Sequence, residues 1–299
     1  MKPIRTPVMT SRTLDGLASA SLFFKCENFQ RAGAFKFRGA SHAVSSLSEE
    51  EARHGVATHS SGNHGAALAL AARLRGIPAF IVMPSTTLGP KKAAVEAYGG
   101  KITLCEPTLE ARETTLAQVV AETHATFIHP YDDPRVVAGQ GTASRELFDE
   151  CPNLDAIVVP VGGGGLLAGT AQTTKIVSPT TRVFAAEPAA ADDAYRSWKA
   201  GRIIPSNNPK TIADGLRTSL GNLGFAAIQN LISGVVTVSE EEIVTAMRLV
   251  WERMKIIIEP SSAVPVAAVL KREVPGKRIG IILTGGNVDL DALPFNLSK

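Results

Sequence analysis

A lysine between two phenylalanines is the first residue in this sequence whose setting suggests chemistry. Lys36 follows Phe35 and precedes Phe37 in the segment FKCENFQRAGAFKFRGA. A strand that ends near Glu27, a glycine-containing loop and a helix that begins near Phe35 would place Lys36 at the helix start. Burial and the positive end of a helix both disfavour a protonated amine, so they lower its pKa. Such a neutral amine could form a Schiff base, but this segment alone favours the alternative of an exposed lysine on an amphipathic helix.

The segment HSSGNHG has the form of a turn between a strand and a helix. Ser60, Ser61 and Asn63 could cap the alanine-rich helix that follows them. The free N–H groups at the start of that helix could equally bind a carboxylate or a phosphate. Both readings, plain capping and anion binding, stay open for this segment alone.

A run of four glycines follows the apolar segment VVPV. Gly162, Gly163, Gly164 and Gly165 leave the backbone N–H groups unobstructed, so that several of them can converge on one anion. The run lacks the lysine and hydroxyl of a Walker motif, and no GxGxxG pattern with a later ribose-binding acid occurs. A single phosphate group is therefore favoured over a nucleotide, and over a simple tight turn.

Two weaker patterns lie further along the chain. Thr284 ends an apolar strand just before Gly285 and Gly286, where α/β sheets commonly bind ligands. Glu187 and Asp193 flank the loop in AAEPAAADD, and two carboxylates with a loop carbonyl could hold a hard cation. Solvated loop acids are the alternative for that pair. His42, His54, His124 and His129 have no partner spacing and are interpreted as structural.

The elements needed to position these residues alternate along the whole chain. The predicted strands are Leu22–Lys25, Val56–Ser60, Ala79–Met83, Ile102–Cys105, Thr126–His129, Ala156–Val161, Val183–Ala186, Val235–Val238 and Ile279–Leu283. Helical patterns cover Gly65–Arg75, Pro90–Tyr98, Ala111–Glu122, Gly141–Glu150 and Glu240–Met254. Because most of the strands lack polar alternation, they suit parallel sheets covered on both faces. The fold class predicted is α/β, doubly wound, with a surface loop at Gly201–Asp214.

Composition narrows the class of protein. The 299 residues contain 44% hydrophobic residues and carry a net charge of +3, with no basic run that would suggest nucleic acid. Cys26, Cys105 and Cys151 are scattered and odd in number, so they predict neither a disulfide framework nor a metal pair. No apolar run reaches the length of a membrane span, and the first fifteen residues lack a signal core. A cytoplasmic protein is the expectation.

Taken together and in order, these motifs resemble the fold-type II pyridoxal phosphate enzymes. The similarity is greatest to serine/threonine dehydratases and eukaryotic-type serine racemases, and it extends over essentially the whole chain. It rests on KCENFQ, GAFKFRGA, SSGNHG, VGGGG, AEPAAADD, ERMKIIIEPSSA and LTGGN. The resemblance implies two open doubly wound domains of the tryptophan synthase β type, with the cofactor between them. Residues 55–132 would form the small domain, and residues 1–54 with 133–299 the large one.

The resemblance also implies roles for individual residues. Contacts with pyridoxal phosphate are implied for Phe35, Lys36, Asn63, Gly162, Gly163, Gly164, Gly165 and Thr284. Contacts with the substrate carboxylate are implied for Ser60, Ser61, Asn63 and His64. A structural divalent cation (magnesium, manganese or calcium) is implied at Glu187, the Ala191 carbonyl and Asp193. A homodimer is expected on the same ground.

The implied reaction begins with removal of the substrate's α-proton by Lys36. Thr284 is a neutral partner that would not hold the pyridine nitrogen protonated, which favours loss of the β-hydroxyl and release of a keto acid and ammonia. If Ser61 returns a proton from the opposite face, the product is the D-amino acid.

Three substrate readings follow: dehydration of L-serine or L-threonine first, serine racemisation second, and elimination from threo-3-hydroxyaspartate third. For the last, His59 and Arg112 could contact the second carboxylate. A pyridoxal-phosphate-binding regulator without catalysis is the non-enzymatic alternative.

Some positions depart from relatives within the resembled group. Gly33 and Ala66 stand where ATP-activated racemases carry particular side chains, so nucleotide regulation is not expected. The chain ends soon after Asp291, so the regulatory domain of biosynthetic threonine deaminases, and feedback by isoleucine, are not expected either. A leading helix common in the group is expected to be short or absent.

Overall fold

Strands and helices alternate along the chain, as the apolar runs predict. The computed structural model describes residues 2–87 and 89–296; Met1, Leu88 and residues 297–299, which the predicted domains include, lie outside the described residues. The strands are β1 (Val8–Met9), β2 (Ser21–Cys26), β3 (Val56–His59), β4 (Ala79–Pro84), β5 (Lys101–Cys105), β6 (Thr126–Phe127), β7 (Ala156–Pro160), β8 (Arg182–Pro188), β9 (Gly234–Val238) and β10 (Arg278–Leu283). The helices are α1 (Arg12–Ala18), α2 (Lys36–Ser45), α3 (Glu49–His54), α4 (Asn63–Arg75), α5 (Gly89–Ala97), α6 (Leu109–Thr123), α7 (Pro134–Glu150), α8 (Gly165–Val177), α9 (Asp193–Ala200), α10 (Asn222–Leu231), α11 (Glu240–Met254) and α12 (Pro260–Leu270).

The strands form two separate sheets. The larger sheet has six strands in the order β1-β2-β10-β7-β8-β9, and the smaller has four in the order β5-β4-β3-β6. All pairings are parallel except that of β1 with β2. Ligands bind outside the carboxyl ends of parallel strands. Residues that follow those ends in the two sheets are therefore the candidates for a shared site.

Alternate residues of the central strands enter different apolar cores. In β7, Val158 packs in one core with α11 and α12, while Val159 packs in another with α7 and α8. The smaller sheet behaves in the same way, with Ile81 on one side and Val82 on the other. Both sheets are thus covered by helices on two faces, which confirms the predicted doubly wound α/β class.

Helix α2, which begins at Lys36, packs between the two units. Phe37 lies in the core beneath the smaller sheet together with residues of α4. On its other side α2 crosses α7 at two glycines: a Cβ on Gly139 would come 2.6 Å from the carbonyl oxygen of Arg38, and one on Gly39 would meet Gln140 at 2.4 Å. The absence of both side chains lets the helix backbones approach closely.

Differences from the predicted elements have local causes. All nine predicted strands occur. The tenth strand, β1, was not predicted, because two residues are too few to show a hydrophobic pattern. Helix α7 begins at Pro134 rather than at the predicted Gly141. Its N-terminal half contains glycines, which are poor helix formers, so the pattern there did not indicate a helix. Asp133 caps this helix and Pro134 is its first residue. Among the described residues no helix precedes β1, and α1 follows it with seven residues. The loop predicted at Gly201–Asp214 contains no helix or strand before Asp214. No helix among the described residues is long and apolar enough to cross a membrane.

Candidate active site

The chain brings Lys36 and Thr284 together through backbone pairing. The polypeptide leaves β2 through two 3₁₀ turns and reaches Ala34, which forms an antiparallel bridge with Gly285. The amide of Phe35 then donates to the carbonyl of Thr284 at 2.9 Å. Helix α2 starts at the next residue, as predicted. The lysine at the helix start is therefore fixed against the carboxyl end of β10, which lies at the centre of the larger sheet.

The Lys36 amine lies where the two units meet. Its Nζ donates to the carbonyl of Pro130 at 2.8 Å and lies 5.2 Å from the centre of the Phe35 ring. Burial lowers the pKa of Lys36 to about 8, and the nearby Glu259 offsets part of that effect. A substantial fraction of neutral amine is thus present near neutral pH, which nucleophilic attack on a carbonyl requires.

The start of α4 is open rather than capped. Gly62 is the N-cap and no side chain caps the helix; the Ser60 hydroxyl instead accepts from the Gly62 amide at 3.3 Å. The prediction that Ser60, Ser61 or Asn63 caps this helix is wrong. Among the described residues the Ser61 hydroxyl has no hydrogen-bond partner. The positive helix end and the serine hydroxyl both stay free for an anion.

Asn63 contacts a buried carboxyl group that the sequence did not single out. Its Nδ2 donates to both oxygens of Glu259, at 3.2 and 2.9 Å, and its Oδ1 accepts from Asn287 at 2.9 Å. The Thr284 hydroxyl lies 3.3 Å from Glu259 and 2.9 Å from the Ser262 hydroxyl. Burial raises the pKa of Glu259 to about 7. The motif ERMKIIIEPSSA marked this segment, but nothing in it distinguished Glu259 from an ordinary residue before a helix.

The glycine run forms a cradle with no room for side chains. A Cβ on Gly164 would lie 2.6 Å from the Cα of Gly224, and one on Gly165 would lie 2.7 Å from the carbonyl of Tyr131. Gly164 also has a φ of +89°, which favours glycine. Within the part of the chain that the structure describes, no protein acceptor takes the amides of Gly163, Gly164 or Gly165. These amides open α8 and fit one phosphate group.

Tyr131 covers the cradle and was missed by the sequence analysis. A Cβ on Gly163 would come 2.2 Å from Cγ of the tyrosine ring, so the ring lies directly on this glycine. The Thr218 hydroxyl donates to the phenol oxygen at 3.1 Å. Burial raises the pKa of the phenol, so it keeps its proton at neutral pH and can donate it. A tyrosine in HPYDDP carries no pattern that would place it here.

Two histidines lie near the lysine. His64 is 2% exposed and its Nε2 lies 3.4 Å from the Ile128 carbonyl; burial holds its pKa well below the ordinary value. His129 Nδ1 accepts from the amides of Tyr131 and Asp132, so the neutral ring carries its proton on Nε2. Burial lowers the pKa of His129 to about 4, and Lys36 contributes to the shift. The interpretation of His129 as structural stays a prediction, and its hydrogen bonds to two loop amides are consistent with it.

His59 and Arg112 lie at the edge of this group. The His59 ring stacks on Phe127 at 6.1 Å and meets the His129 ring edge-on at 6.3 Å. Burial and then the Arg112 charge lower the pKa of His59, and Arg112 also influences the phenol of Tyr131. Arg112 donates to the Thr108 carbonyl and forms no ion pair among the described residues. The two residues predicted as side-chain contacts thus share one neighbourhood.

Glu187 and Asp193 lie together away from the lysine. Glu187 accepts from the amides of Ala194 and Tyr195, both at 2.9 Å, so it also caps α9. Asp193 accepts from Leu220 through one oxygen, while its Oδ1 is buried without a partner. Burial raises the pKa of Glu187 to about 9 and that of Asp193 to about 6. No cluster of three or more His, Cys, Asp or Glu ligands occurs in residues 2–87 or 89–296.

Comparison with known proteins agrees with this geometry. The family described as pyridoxal-phosphate dependent enzyme matches residues 2–285. The chain is 55% identical over 294 residues to a beta-hydroxyaspartate dehydratase from Paracoccus denitrificans (strain Pd 1222), covering 98% of this chain and 93% of that one. The match therefore spans both units and every candidate residue.

Solved structures give the same picture. The structure of maize serine racemase superposes with a TM-score of 0.95 at 46% identity, covering 97% of this chain and 90% of that one. The T.th. threonine deaminase superposes with a TM-score of 0.91 at 43% identity, covering 96% of this chain and 94% of that one. The two-sheet arrangement with a site between the sheets is thus that of fold-type II enzymes, as the motifs implied.

Proposed function

Since the chain belongs to the family of pyridoxal-phosphate dependent enzymes, we propose that it eliminates water from a small β-hydroxy amino acid. L-Serine and L-threonine are the first candidates, and the products are a keto acid and ammonia. The observation that carries the proposal is the partly buried Lys36 amine, whose neighbour Phe35 pairs with Thr284 and whose pKa is lowered to about 8. Relatives named as dehydratases and deaminases support the reaction class.

The residues present fit pyridoxal phosphate. The free amides of the glycine run suit its phosphate, since a side chain at Gly163, Gly164 or Gly165 would collide with neighbouring atoms. Phe35 flanks the amine. Asn63 and Thr284, which both contact Glu259, would offer polar groups to the ring, Thr284 to its nitrogen. When bound, the cofactor supplies an aldehyde that condenses with amines and a ring that withdraws electrons from the substrate's α-carbon.

Different protein residues would bind the substrate and transfer its protons. The open start of α4, with Ser60, Ser61 and His64, would bind the substrate carboxylate. Lys36 would take the α-proton; the α-carbon–hydrogen and β-carbon–oxygen bonds break, a carbon–carbon double bond forms, and the hydroxyl leaves with a proton as water. The resulting enamine tautomerises and is hydrolysed to keto acid and ammonia. Ser61, on the opposite side, would instead return a proton in a racemisation, the second activity that the serine racemase relatives support.

The experiment that tests the proposal compares Lys36→Ala with the wild-type protein. The variant should lose the visible absorbance of lysine-bound cofactor and all keto-acid formation from L-serine and L-threonine. Lys210→Ala, on an exposed lysine whose side chain makes no hydrogen bond or ion pair among the described residues, is the control and should keep both. Absorbance scans and a coupled keto-acid assay measure the outcome. Full turnover by Lys36→Ala would overturn the assignment, and a colourless wild-type protein would contradict cofactor binding altogether.

A second candidate substrate is threo-3-hydroxyaspartate. Arg112 has no ion-pair partner among the described residues and lies near His59, a donor-rich setting that suits a second carboxylate. A relative named beta-hydroxyaspartate dehydratase supports it. Arg112→Gln should then reduce kcat/KM for the hydroxyaspartate by about tenfold or more, corresponding to about 1.4 kcal/mol, while turnover of L-serine changes little. Equal losses on both substrates would exclude Arg112 as a contact for the extra carboxylate.

Three further assignments complete the proposal. A magnesium, manganese or calcium ion would bind Glu187, the Ala191 carbonyl and Asp193, and the buried unpaired Oδ1 of Asp193 supports it.

A homodimer in the cytoplasm is proposed for the assembled protein. The three cysteines are free, which suits a reducing compartment. The domain division at residues 55 and 132 also stays a proposal.

A further inference from the structure

A buried carboxyl group links the two sheets at the site. Glu259 is 4% exposed and immediately precedes α12, which packs on the larger sheet. It accepts two hydrogen bonds from Asn63, the first residue of α4 on the smaller sheet. It also lies 3.3 Å from the Thr284 hydroxyl at the end of β10. The catalytic steps proposed above give this acid no part.

The hydroxyl groups beside Glu259 have few protons to share. Ser262 and Thr284 lie 2.9 Å apart, and Ser262 also lies 2.8 Å from the Gly285 carbonyl, which accepts only. Each hydroxyl has one proton to donate. An ionised Glu259 accepts only, so it draws the Thr284 proton toward itself and leaves a lone pair of Thr284 for any other partner. A protonated Glu259 no longer needs that proton, and Thr284 becomes free to donate elsewhere.

We propose that Glu259 is a positioning residue whose ionisation decides whether Thr284 acts as a hydrogen-bond donor or an acceptor toward the cofactor's ring nitrogen. The inference rests on the proposed function, in which Thr284 faces that nitrogen. A donor stabilises an unprotonated nitrogen, whereas an acceptor beside a carboxylate stabilises a protonated one. The protonated ring withdraws electrons more strongly, so Glu259 sets how well the bound cofactor stabilises negative charge on the α-carbon.

The surroundings allow both states of Glu259. Burial raises its pKa to about 7, and the Asp214 charge acts in the same direction. Asn63 and Thr284 donate to the ionised form, and Lys91 on α5 also favours it. Lys36 on α2 interacts with Glu259 as well, since Glu259 raises the pKa of the lysine. The acid is therefore mostly protonated below about pH 7 and mostly ionised above it.

The Asn63 contact ties this choice to the smaller sheet. Asn63 donates to both oxygens of the ionised acid, so loss of these hydrogen bonds by itself would favour the protonated form.

The test follows the absorbance and fluorescence of bound pyridoxal phosphate from pH 6 to 8, without substrate, in wild type, Glu259→Gln and the control Glu241→Gln. Glu241 is an exposed acid at the start of α11. The wild type and the control should show a spectral transition with a midpoint near pH 7. Glu259→Gln cannot ionise, so its transition should vanish or shift by more than about 1 pH unit. Cofactor affinity, measured by equilibrium dialysis, should differ between pH 6 and pH 8 in the wild type and stay constant in Glu259→Gln.

Thr284→Val provides a second route to the same answer. It retains the Glu259 carboxyl but lacks the Thr284 hydroxyl, so it should also lose the spectral transition near pH 7. This variant tests the inference if Glu259→Gln fails to fold. A transition that persists unchanged in either folded variant overturns the inference. A wild-type protein that binds no chromophore refutes the proposed function instead, so the two failures are distinguishable.

Discussion

At the scale of single residues, the site depends on groups with free hydrogen-bonding capacity. Ser61 illustrates this, because its hydroxyl stands at the uncapped start of α4 and has no partner among the described residues. The positions of Lys36 at a helix start and of the glycine run before α8 were predictable, since both have recognisable patterns. Glu259 and Tyr131 were not singled out, because partners of each lie far away in sequence: Asn63 is 196 residues from Glu259, and Thr218 is 87 residues from Tyr131.

Replacing Ser61 with alanine should separate the two activities. A hydroxyl that exchanges a proton on the face opposite Lys36 is needed for racemisation and for D-substrates, but elimination from an L-substrate needs only Lys36. We expect a loss of about 100-fold or more in racemisation and a smaller loss in L-serine elimination. Chiral chromatography and a keto-acid assay on the same reaction measure both rates. Ser60→Ala is the matched comparison, and an equal loss of both activities in Ser61→Ala would contradict the two-face arrangement.

At the scale of elements, a buried charge network fixes α2. Arg38 is 1% exposed and donates to Glu27 at 2.6 and 2.8 Å and to Glu146 at 2.8 and 2.7 Å. Lys25 joins Glu146 at 2.8 Å. The network ties β2 and α7 to α2 two residues after Lys36. Such a set of charges cannot be predicted from local sequence, because its members come from β2, the 3₁₀ turn after it, α2 and α7.

Glu27→Gln should therefore destabilise the fold. The change leaves the buried Arg38 guanidinium without one of its two carboxylates, and breaking a buried pair on one side costs about 3–5 kcal/mol. Urea unfolding of the protein without cofactor measures the free energy. Glu252→Gln, which removes an exposed pair with Arg248 on α11, is the control and should cost at most about 0.5 kcal/mol. Similar costs for both variants would show that the network contributes little.

At the scale of the whole molecule, polar contacts near the site join the two units. Lys91 on α5 pairs with Asp214 beside the larger sheet, and Asn63 contacts Glu259. The sequence predicted two doubly wound sheets from strand periodicity, but periodicity says nothing about which helices both sheets share. Helix α2 contributes Phe37 to the core of the smaller sheet although the predicted boundary at residue 55 assigns it to the larger domain.

A divalent cation should stabilise the molecule in a pH-dependent manner. The folded pKa of Glu187, about 9, lies above its ordinary value of 4.5. The folded state therefore binds more protons than the unfolded state between these values, and stability falls as pH rises through that window. A cation that binds the ionised acids removes this loss, so the increase in Tm caused by magnesium, manganese or calcium should be larger at pH 8 than at pH 5.

Differential scanning fluorimetry with each ion and with EDTA measures that increase. Asp193→Asn should abolish it, whereas the exposed Asp291→Asn should not. An increase that is equal at both pH values, or that survives in Asp193→Asn, would contradict a cation at this place.

The crossing of α2 and α7 has a consequence for how the sequence can vary. Because a methyl group on Gly139 would reach within 2.6 Å of the Arg38 carbonyl, any larger residue there must lift the helix whose first residue is the reactive lysine. Relatives that keep this lysine in the same position should therefore retain glycine at both Gly39 and Gly139, although neither residue touches a ligand. An alignment with bulky residues at both positions beside an intact lysine would refute this expectation.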